Sequence, residues 1–364
     1  MAISSSLGSS ALLPAGLGFR NTVINGHMRV AQRGTATVST NDSFPVDRWK
    51  FSIGTSGAWT AQQIPTATTA TPAGFDYSWN CTKTTGGTAG VGEYNYFVQY
   101  IEGNNCSHFD WGTANAKTLT LSFWVRSGQV GTFGGSLRNS AANYAYCFTY
   151  TVNAINTWEY KTIQITGVTG GTWLKDTSTG IALFFDLGSG ANARGTAGIA
   201  TGNYVGTTGT SLYPSNTTGG YINFTGVQLE QNYQPTPFEQ RPIGTELALC
   251  QRYFQLMNSY TATGDFNVMM VREVATQGQA TIWLPVTMRI YPSIVGTSYG
   301  RCVFRDTSFG LTVASVSSIV TNTSGPSNNA VTIVITHDSV SGTYVYSEWD
   351  MNATNTSLGL SAEL

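Results

Sequence analysis

Three prolines, Pro235, Pro237 and Pro242, stand where the residue pattern of the chain changes from that of a strand to that of a helix. Residues 227–230 alternate apolar and polar side chains, which is typical of a β-strand with one buried face. Each proline fixes φ and lacks an amide donor, so this segment can neither continue a sheet nor begin a helix early. The pattern therefore predicts two domains joined by a stiff, extended connector.

The helix beyond the connector is predicted to open the second domain. Thr245 is placed to cap it, and Glu246 lies in its first turn, where a carboxylate interacts favourably with the helix dipole. Apolar side chains then recur at helical spacing at Leu247, Cys250, Phe254 and Met257. The predicted divisions are an N-terminal arm at 1–19, a first domain at 20–230, the connector at 231–244 and a second domain at 245–364.

The composition of the chain excludes several classes of partner. Charged residues make up 10% of the 364 residues, against about 25% in a typical globular domain, and the net charge is −1. Nucleic acid is therefore not an expected partner, because no basic surface attracts phosphates. Membrane insertion is not expected either, because no apolar stretch is long enough to span a bilayer. The 41 glycines and 12% aromatic residues favour a β-rich chain with a neutral surface of hydroxyl and amide groups.

Short runs of β-forming residues predict an all-β first domain. In 117–126, apolar side chains alternate with Thr120, Ser122 and Trp124, which predicts one buried face and one outer face. Further strands are predicted at 44–53, 92–101, 143–152, 158–166, 180–187 and 220–230, and an extended segment with a turn at Asn25-Gly26 is predicted at 21–34. Many short strands separated by turn-forming residues indicate a jelly roll, which is a two-sheet β-sandwich.

The second domain is predicted to be a smaller, β-sandwich-like unit. Its strands are expected near 266–274, 278–288, 293–305, 309–320, 329–337 and 342–349. In 329–337, Val331, Ile333 and Ile335 alternate with residues of the opposite face, as in a half-buried strand.

The five cysteines do not form a metal or disulfide pattern. Their number is odd and no CxxC pair occurs. Two alternatives are open for Cys81 and Cys106, a disulfide bond or buried free thiols, and the sequence favours the second. No cofactor is expected.

No catalytic centre is predicted. The three histidines have no nucleophile motif near them, and a glycosidase would need two carboxylates facing each other across a cleft. Glu93, Glu102 and Asp110 share a region with several aromatic residues and are the first acids to consider for such a pair. We expect a protein that is not an enzyme.

Several ordered motifs resemble a known family. They are Asn25-Gly26, Asp47-Arg48-Trp49, LTLSFWVRSG at 119–128, NTWEYKTIQITG at 156–167, IALFFDLGSG at 181–190 and FTGVQLEQ at 224–231. In this order they resemble the carbohydrate-binding-module-like jelly roll of bacteriophage tail fibre and related virion proteins. TPFEQRPIGTELALCQRYF resembles the junction that follows this module, and the terminal Ala362-Glu363-Leu364 resembles the end of the small β domain that closes such proteins.

The resemblance implies a virion component, homotrimeric, that touches the host surface and binds glycan. Its arm at 1–19 would contact other virion proteins, although a free arm is an equal alternative. Sugar-binding jelly rolls often hold a structural Ca²⁺ through backbone oxygens and one or two acids, which leaves a calcium site open.

Aromatic side chains in loops are the predicted sugar contacts, since a ring packs against the C–H face of a sugar while amides and hydroxyls bind its hydroxyl groups. The candidates are Trp59, Tyr77, Trp79, Trp111, Trp173, Tyr204, Tyr213, Tyr260, Tyr299 and Trp349. The connector adds Pro235, Pro237, Phe238 and Pro242.

Three hypotheses for the function follow. The first is a tail-fibre-type virion protein that attaches to host glycan without cleaving it. The second is a head or neck decoration protein with a purely structural role, and the third is a glycan depolymerase.

Overall fold

The computed structural model describes residues 19–54, 57–65, 71–256, 266–269, 271–295, 301–305, 311–321, 330–339, 346–351 and 359–364. Residues 1–18, which make up nearly all of the predicted N-terminal arm, lie outside this set. Among the described residues, no helix is both long enough and apolar enough to cross a bilayer.

The first domain is a two-sheet β-sandwich, as expected for a jelly roll. Its strands are β1 (Ser43–Val46), β2 (Trp49–Ser52), β3 (Ala58–Pro65), β4 (Tyr77–Thr85), β5 (Tyr96–Glu102), β6 (Leu119–Ser127), β7 (Gly131–Arg138), β8 (Ala145–Val152), β9 (Glu159–Ile165), β10 (Thr179–Asp186), β11 (Arg194–Gly195), β12 (Gly198–Ala200), β13 (Gly206–Thr207) and β14 (Tyr221–Glu230). A one-turn helix, α1 (Gly103–Cys106), follows β5. One sheet of the sandwich has the order β1-β2-β5-β10-β7-β8-β12 and the other β3-β4-β14-β6-β9, while β11 and β13 form a separate two-stranded sheet.

A column of aromatic rings joins the two sheets through the core. Trp49 of the seven-stranded sheet stacks on Phe97 of the same sheet, with 4.4 Å between ring centroids. Phe97 stacks in turn on Trp79 of the five-stranded sheet, at 3.8 Å. All three side chains are completely buried. Because each ring removes on the order of 150–250 Å² from water, this column contributes strongly to sandwich stability.

The strand pattern of the first domain was largely predictable. Predicted segments 117–126 and 220–230 correspond to β6 and β14, and 92–101, 143–152, 158–166 and 180–187 correspond to β5, β8, β9 and β10. Strands β3, β4 and β7 and the short strands β11, β12 and β13 were missed. The predicted single strand at 44–53 is a hairpin of β1 and β2, because the chain turns at Arg48, whose φ is +71°. The segment 21–34 turns at Asn25 (φ +56°) but forms no strand.

The second domain opens with helix α2 (Ile243–Gln251). Its strands are β15 (Phe254–Leu256), β16 (Phe266–Met269), β17 (Val271–Val274), β18 (Gln277–Trp283), β19 (Ser293–Val295), β20 (Arg301–Arg305), β21 (Leu311–Thr321), β22 (Ala330–His337), β23 (Tyr346–Met351) and β24 (Gly359–Ser361). They form sheets of order β16-β23-β20-β21-β22-β18-β17 and β15-β24-β19. Val331, Ile333 and Ile335 are buried and pack with Leu360 in the core of this domain, as the alternation predicts.

The predicted helix differs from α2 at both ends. Pro242 is the N-cap residue, so α2 begins before Thr245, and Thr245 does not cap it. Proline suits this position because the first amides of a helix have no intrahelical partner. The helical period was also extended too far, since Phe254 begins β15, while Met257 lies outside the described residues.

A buried polar junction ties the second domain to the first. Glu102 on β5 accepts hydrogen bonds from Arg252 Nε (2.9 Å) and Nη2 (2.7 Å), just beyond α2. Arg289 donates to the Thr177 carbonyl of the first domain (2.8 Å) and to the Glu363 carbonyl near the C-terminus (2.9 Å). Bidentate contacts of this kind fix orientation as well as distance. Glu102 is therefore a structural residue of the junction.

Asp47 is a buried acid at the edge of the same junction. It accepts a backbone hydrogen bond from Gln32 and lies 3.6 Å from Arg33, whereas its neighbour Arg48 pairs with Glu363. Asp47 and Arg48 are thus neighbours in the sequence that take different partners. Burial raises the pKa of Asp47 to about 6, although Arg33 and the bonds from Gln32 oppose this.

We predict that Asp47→Asn alters the pH dependence of stability. The folded pKa of about 6 exceeds the ordinary value of 3.8, so the contribution of Asp47 is complete below pH 3.8 and is lost as the pH rises through 6. The unfolding free energy of the wild type minus that of Asp47→Asn should fall by up to about 3 kcal/mol between pH 4 and pH 7. Denaturant unfolding of both proteins measures this difference. The contributions of titrating groups that the two proteins have in common cancel in it. A difference that stays flat or rises would contradict the prediction.

Candidate functional site

Strand β14 contains a bulge halfway along its length. Its pairing with β6 shifts register between Thr225 and Gln228. Gly226 lies in the bulge with φ of +62°, a left-handed conformation that glycine adopts at little cost. A Cβ atom at Gly226 would lie 2.7 Å from the ring of Phe75 and 3.0 Å from that of Trp124. The absent side chain therefore lets both rings lie close to the strand.

The connector folds back over the outer face of the same strand. Glu230 accepts hydrogen bonds from the backbone N–H and the hydroxyl of Thr236, each at 2.8 Å. Gln228 accepts from the N–H of Glu239 at 2.8 Å. Glu230 is only 2% exposed and Gln228 is fully buried, although their alternation predicts a solvated outer face. The connector is what covers them.

An open groove of about 640 Å³ lies between the connector and the outer face of the five-stranded sheet. Four aromatic side chains line it, namely Phe75, Trp124, Tyr160 and Phe238. The ring centroids of Trp124 and Tyr160 are 5.3 Å apart, and those of Phe75 and Phe238 are 5.1 Å apart. Tyr160 is 43% exposed, so this ring is available to a ligand from solvent. The groove volume falls within the range of about 300–1,000 Å³ found for ligand sites.

The groove has no charged side chain among the described residues that line it. The remaining lining residues are Ala73, Ser122, Gly226, Pro235, Thr236, Pro237 and Gln240. Two other cavities differ in this respect. One of about 340 Å³ is lined in part by Arg33 and Asp42, and one of about 250 Å³ by His108 and Arg241. The groove thus combines rings with neutral hydroxyl and amide groups.

His27 lies behind the groove, between its two walls. Its ring is 4.8 Å from that of Phe75 and 6.0 Å from that of Phe238. Burial and, to a lesser extent, the nearby Arg29 together lower the pKa of His27 to about 4, although the hydrogen bond to Gln240 and the Asp76 carboxylate oppose this. The imidazole is therefore neutral at pH 7.

Half of the ten predicted sugar contacts are buried and are not in loops open to solvent. The five buried candidates, each at most 7% exposed, are Trp59, Trp79, Trp111, Trp173 and Tyr213. Trp59 and Trp79 lie in β3 and β4 and face the core. Their bulk and apolarity were used for packing, so their prediction as exposed loop rings was wrong.

The indole N–H groups of Trp111 and Trp173 donate to backbone carbonyls, at 2.9 Å each, and the rings meet edge to face at 4.8 Å. The Tyr213 hydroxyl accepts the backbone N–H of Tyr221 at 2.7 Å. These contacts explain why the three rings stay inside the sandwich.

The remaining candidates are distributed over the molecule. Tyr77 is half-buried in β4 against the core, and Tyr204 is half-buried in the loop between β12 and β13. Trp349 lies in β23, and Tyr260 and Tyr299 are outside the described residues. The prediction of ligand contact stays untested for these residues.

The connector residues divide between two places. Pro235, Pro237 and Phe238 line the groove, whereas Pro242 caps α2. Phe75, Trp124 and Tyr160 were not predicted as site residues. A signal for Trp124 was present, because the alternation in 117–126 places it on the outer face of its strand.

The three acids considered for catalysis serve other contacts. Glu102 belongs to the domain junction, Glu93 accepts the backbone N–H of Gly90 at 2.8 Å, and Asp110 pairs with Lys175 at 3.5 Å. Within the described part of the chain, no cluster of three or more His, Cys, Asp or Glu residues is arranged to hold a metal ion. Cys81 and Cys106 are both buried free thiols.

Comparisons with known proteins give only distant structural similarity. No protein-family model and no curated protein matches the chain. A tailspike protein 4 domain of bacteriophage CBA120 aligns at a TM-score of 0.32 and 16% identity, covering 58% of this chain and 22% of that chain. TmCBM61, solved with β-1,4-galactotriose, aligns at 0.30 and 10% identity, covering 59% and 100%.

A family 11 carbohydrate-binding module of Clostridium thermocellum aligns at a TM-score of 0.29 and 11% identity, covering 56% of this chain and 99% of that one. The similar structures therefore include a phage tailspike domain and carbohydrate-binding modules. Similarity at this level carries no argument about ligand or role, which depends on the geometry of the groove.

We predict that Gly226→Ala destabilises the protein and displaces the groove rings. An alanine at φ of +62° costs roughly 1–2 kcal/mol, and its Cβ would also contact Phe75 and Trp124 too closely. The matched control is Gly219→Ala, at φ of +79° with no atom within 4 Å of the new Cβ, which incurs the backbone cost alone. Denaturant unfolding should show the larger loss for Gly226→Ala, and tryptophan emission should change in that variant only. Equal effects of the two substitutions would contradict the steric role of Gly226.

Proposed function

We propose that the protein binds a neutral glycan chain, without cleaving it, in the groove between the connector and the five-stranded sheet. The observation that carries the proposal is the combination of four aromatic rings with an uncharged polar lining in one open groove. A charged ligand would find no oppositely charged side chain among the described lining residues. A purely apolar ligand would leave the hydroxyl and amide groups of the groove without hydrogen-bond partners.

The aromatic rings of the groove suit the C–H faces of sugars. Trp124 is half-buried and Tyr160 is partly exposed, and their planes are inclined at 49° at a separation of 5.3 Å. Two adjacent inclined rings can contact successive residues of a twisted chain. Aromatic contacts of this kind contribute about 0.5–1.5 kcal/mol each beyond the area they bury.

Neutral polar side chains stand on both walls of the groove. Ser122 lies on the sheet, whereas Thr236 and Gln240 lie on the connector. Hydroxyl and side-chain amide groups both donate and accept, so they can follow the alternating donors and acceptors of a carbohydrate. Hydrogen bonds from opposite walls would fix the orientation of the chain between the rings.

The lining also favours binding without cleavage. Glycoside hydrolysis uses two carboxyl groups about 5–9.5 Å apart across the scissile bond. The described lining of the groove supplies neither carboxyl group. We therefore propose a binding protein rather than a depolymerase.

We further propose that this binding serves attachment of a phage virion to its host, in a tail-fibre-type protein. The support for this step is the ordered set of sequence motifs, from Asn25-Gly26 to the connector, which resembles phage virion fibres. Such a protein would be a homotrimer that carries three grooves. Linked grooves raise the effective affinity by about 10²–10⁴ when several are occupied together, so a weak site is sufficient for adhesion.

We predict that Trp124→Ala and Tyr160→Ala each weaken binding to polysaccharide of the host envelope by about tenfold, which corresponds to about 1.4 kcal/mol. Each change removes one ring of the groove and leaves the core column intact. Isothermal titration with isolated envelope polysaccharide measures the loss. The matched control is Trp283→Ala, because Trp283 is 76% exposed in the second domain. Equal losses in all three variants would locate the binding elsewhere and overturn the groove assignment.

We predict that the recombinant protein competes with phage for host cells. If the chain forms the attachment fibre, pre-incubation of cells with the wild type should slow phage adsorption, and Trp124→Ala should slow it less. Labelling of virions with an antibody to the chain should mark the tail. Labelling of the head together with absence of competition would instead favour a decoration protein.

A further inference from the structure

His27 joins two elements that line the groove, the 71–76 loop and the connector, through both of its ring nitrogens. Nε2 accepts the backbone N–H of Asp76 at 3.1 Å, on the 71–76 loop. Nδ1 lies 3.1 Å from Gln240 Oε1, on the connector. A carbonyl oxygen only accepts, so Nδ1 must carry the proton. Only the neutral Nδ1–H tautomer satisfies both contacts.

The 71–76 loop and the connector meet around this imidazole. Phe75 and Phe238 pack on each other and on the His27 ring. Gln240 Nε2 also donates to the carbonyl of Gly74, at 3.2 Å. The position of Phe75 in the groove therefore depends on the contacts that His27 makes.

The backbone of His27 is fixed to the sheet. The Gly26 carbonyl accepts the N–H of Val227 at 3.0 Å, and the Thr225 hydroxyl lies 3.5 Å from the His27 carbonyl. His27 is 5% exposed. The imidazole thus stands on β14 beside the bulge, and a change in its hydrogen bonds must be taken up by the loop or the connector.

We propose that His27 is a pH-sensitive clamp of the groove, so that its protonation releases the 71–76 loop and the glycan bound at neutral pH. A protonated Nε2 would point a second donor at the N–H of Asp76, and that hydrogen bond cannot form between two donors. This inference rests on the proposed glycan binding for its effect on the ligand. The coupling between the walls is independent of any ligand.

The charged groups around His27 come from each packed element. Arg29 follows it in the chain and opposes protonation, whereas the Asp76 carboxylate on the loop favours it. These two form an exposed ion pair with each other. On the connector, Glu239 pairs with Arg241, and on β14 Glu230 is bonded to Thr236.

The direction of the pH effect follows from burial. Burial lowers the pKa of His27 in the clamped state to about 4, below the ordinary value of 6.5 that it would regain on release. The clamp is therefore favoured above pH 6.5 and is lost as the pH falls towards 4. From these two values, the ratio of clamped to released forms should fall roughly 20-fold between pH 7 and pH 5.

Hydrogen–deuterium exchange of the ligand-free full chain tests the clamp. After correction for intrinsic exchange rates, peptides that cover 71–77 should lose protection in the wild type when the pH is lowered from 7 to 4.5. The control variant His108→Gln replaces an exposed histidine outside the groove and should show the same loss. His27→Gln, which cannot be protonated, should show no such pH dependence. An unchanged pH profile in His27→Gln would overturn the proposal.

A measurement on the wild type covers the case in which His27→Gln does not fold. Long-range ¹⁵N–¹H spectra of histidine-labelled protein should show the Nδ1–H tautomer of His27 at pH 7 and its titration well below pH 6.5. An Nε2–H tautomer, or an Asp76 amide that stays protected once His27 is protonated, would overturn the clamp.

Retention on resin-bound host-envelope polysaccharide separates this inference from the proposed function. Retention at pH 7 that is lost at pH 4.5 in the wild type and kept in His27→Gln supports both. Retention that is equal at both pH values while the loop opens overturns the release of glycan. No retention at pH 7 overturns the proposed function and the release with it, and the exchange experiment then decides the clamp alone.

Discussion

The position of the connector depends on the hydrogen bonds that the polar side chains on the outer face of β14 require. Gln228 and Glu230 are buried, and a buried carboxylate without hydrogen bonds costs several kcal/mol. The connector supplies those bonds through Thr236 and the backbone of Glu239, so it must lie across the sheet. The same placement forms one wall of the groove and leads the chain to α2. The groove and the junction between the domains therefore follow from one set of hydrogen bonds.

The bulge at Gly226 is the second feature of β14 on which the groove depends. One extra residue shifts the alternation, so Phe224 and Val227 both face the core although three positions separate them. Phe75 and Trp124 lie next to the backbone at this bulge. A strand with regular alternation would keep a side chain at this point and would fill the space that the rings occupy. Local irregularity in β14 is thus the condition for an aromatic groove on its outer face.

Structural features that depend on local alternation of side chains were predictable from the sequence. Features that depend on contacts between distant segments were not. Strands β6 and β14 and the all-β class followed from periodicity, and Trp124 was placed on an outer face. Trp79 was misjudged because an aromatic residue between polar neighbours resembles a loop residue, whereas its stacking on Phe97 across the core depends on the pairing of two sheets. Phe75 was missed because its loop reaches the groove through His27 and Phe238, which lie far away in the sequence. The strand at 131–138 was missed because its glycines give no β signal, although Gly135 packs where the Phe148 ring leaves no room for a side chain.

The proposed clamp bears on how well the groove is prepared for a ligand. Trp124 and Tyr160 expose apolar surface to solvent, and a ligand that covers this surface would gain roughly 25 cal/mol per Å². Hydrogen bonds from the connector to Glu230, and from the loop backbone to His27, hold the connector and the loop in place. A preorganised groove of this kind does not spend binding energy on ordering its side chains, which matters most for a weak ligand such as a sugar. Under the proposed function, polar contacts behind the rings would therefore contribute to the affinity of the groove together with the rings.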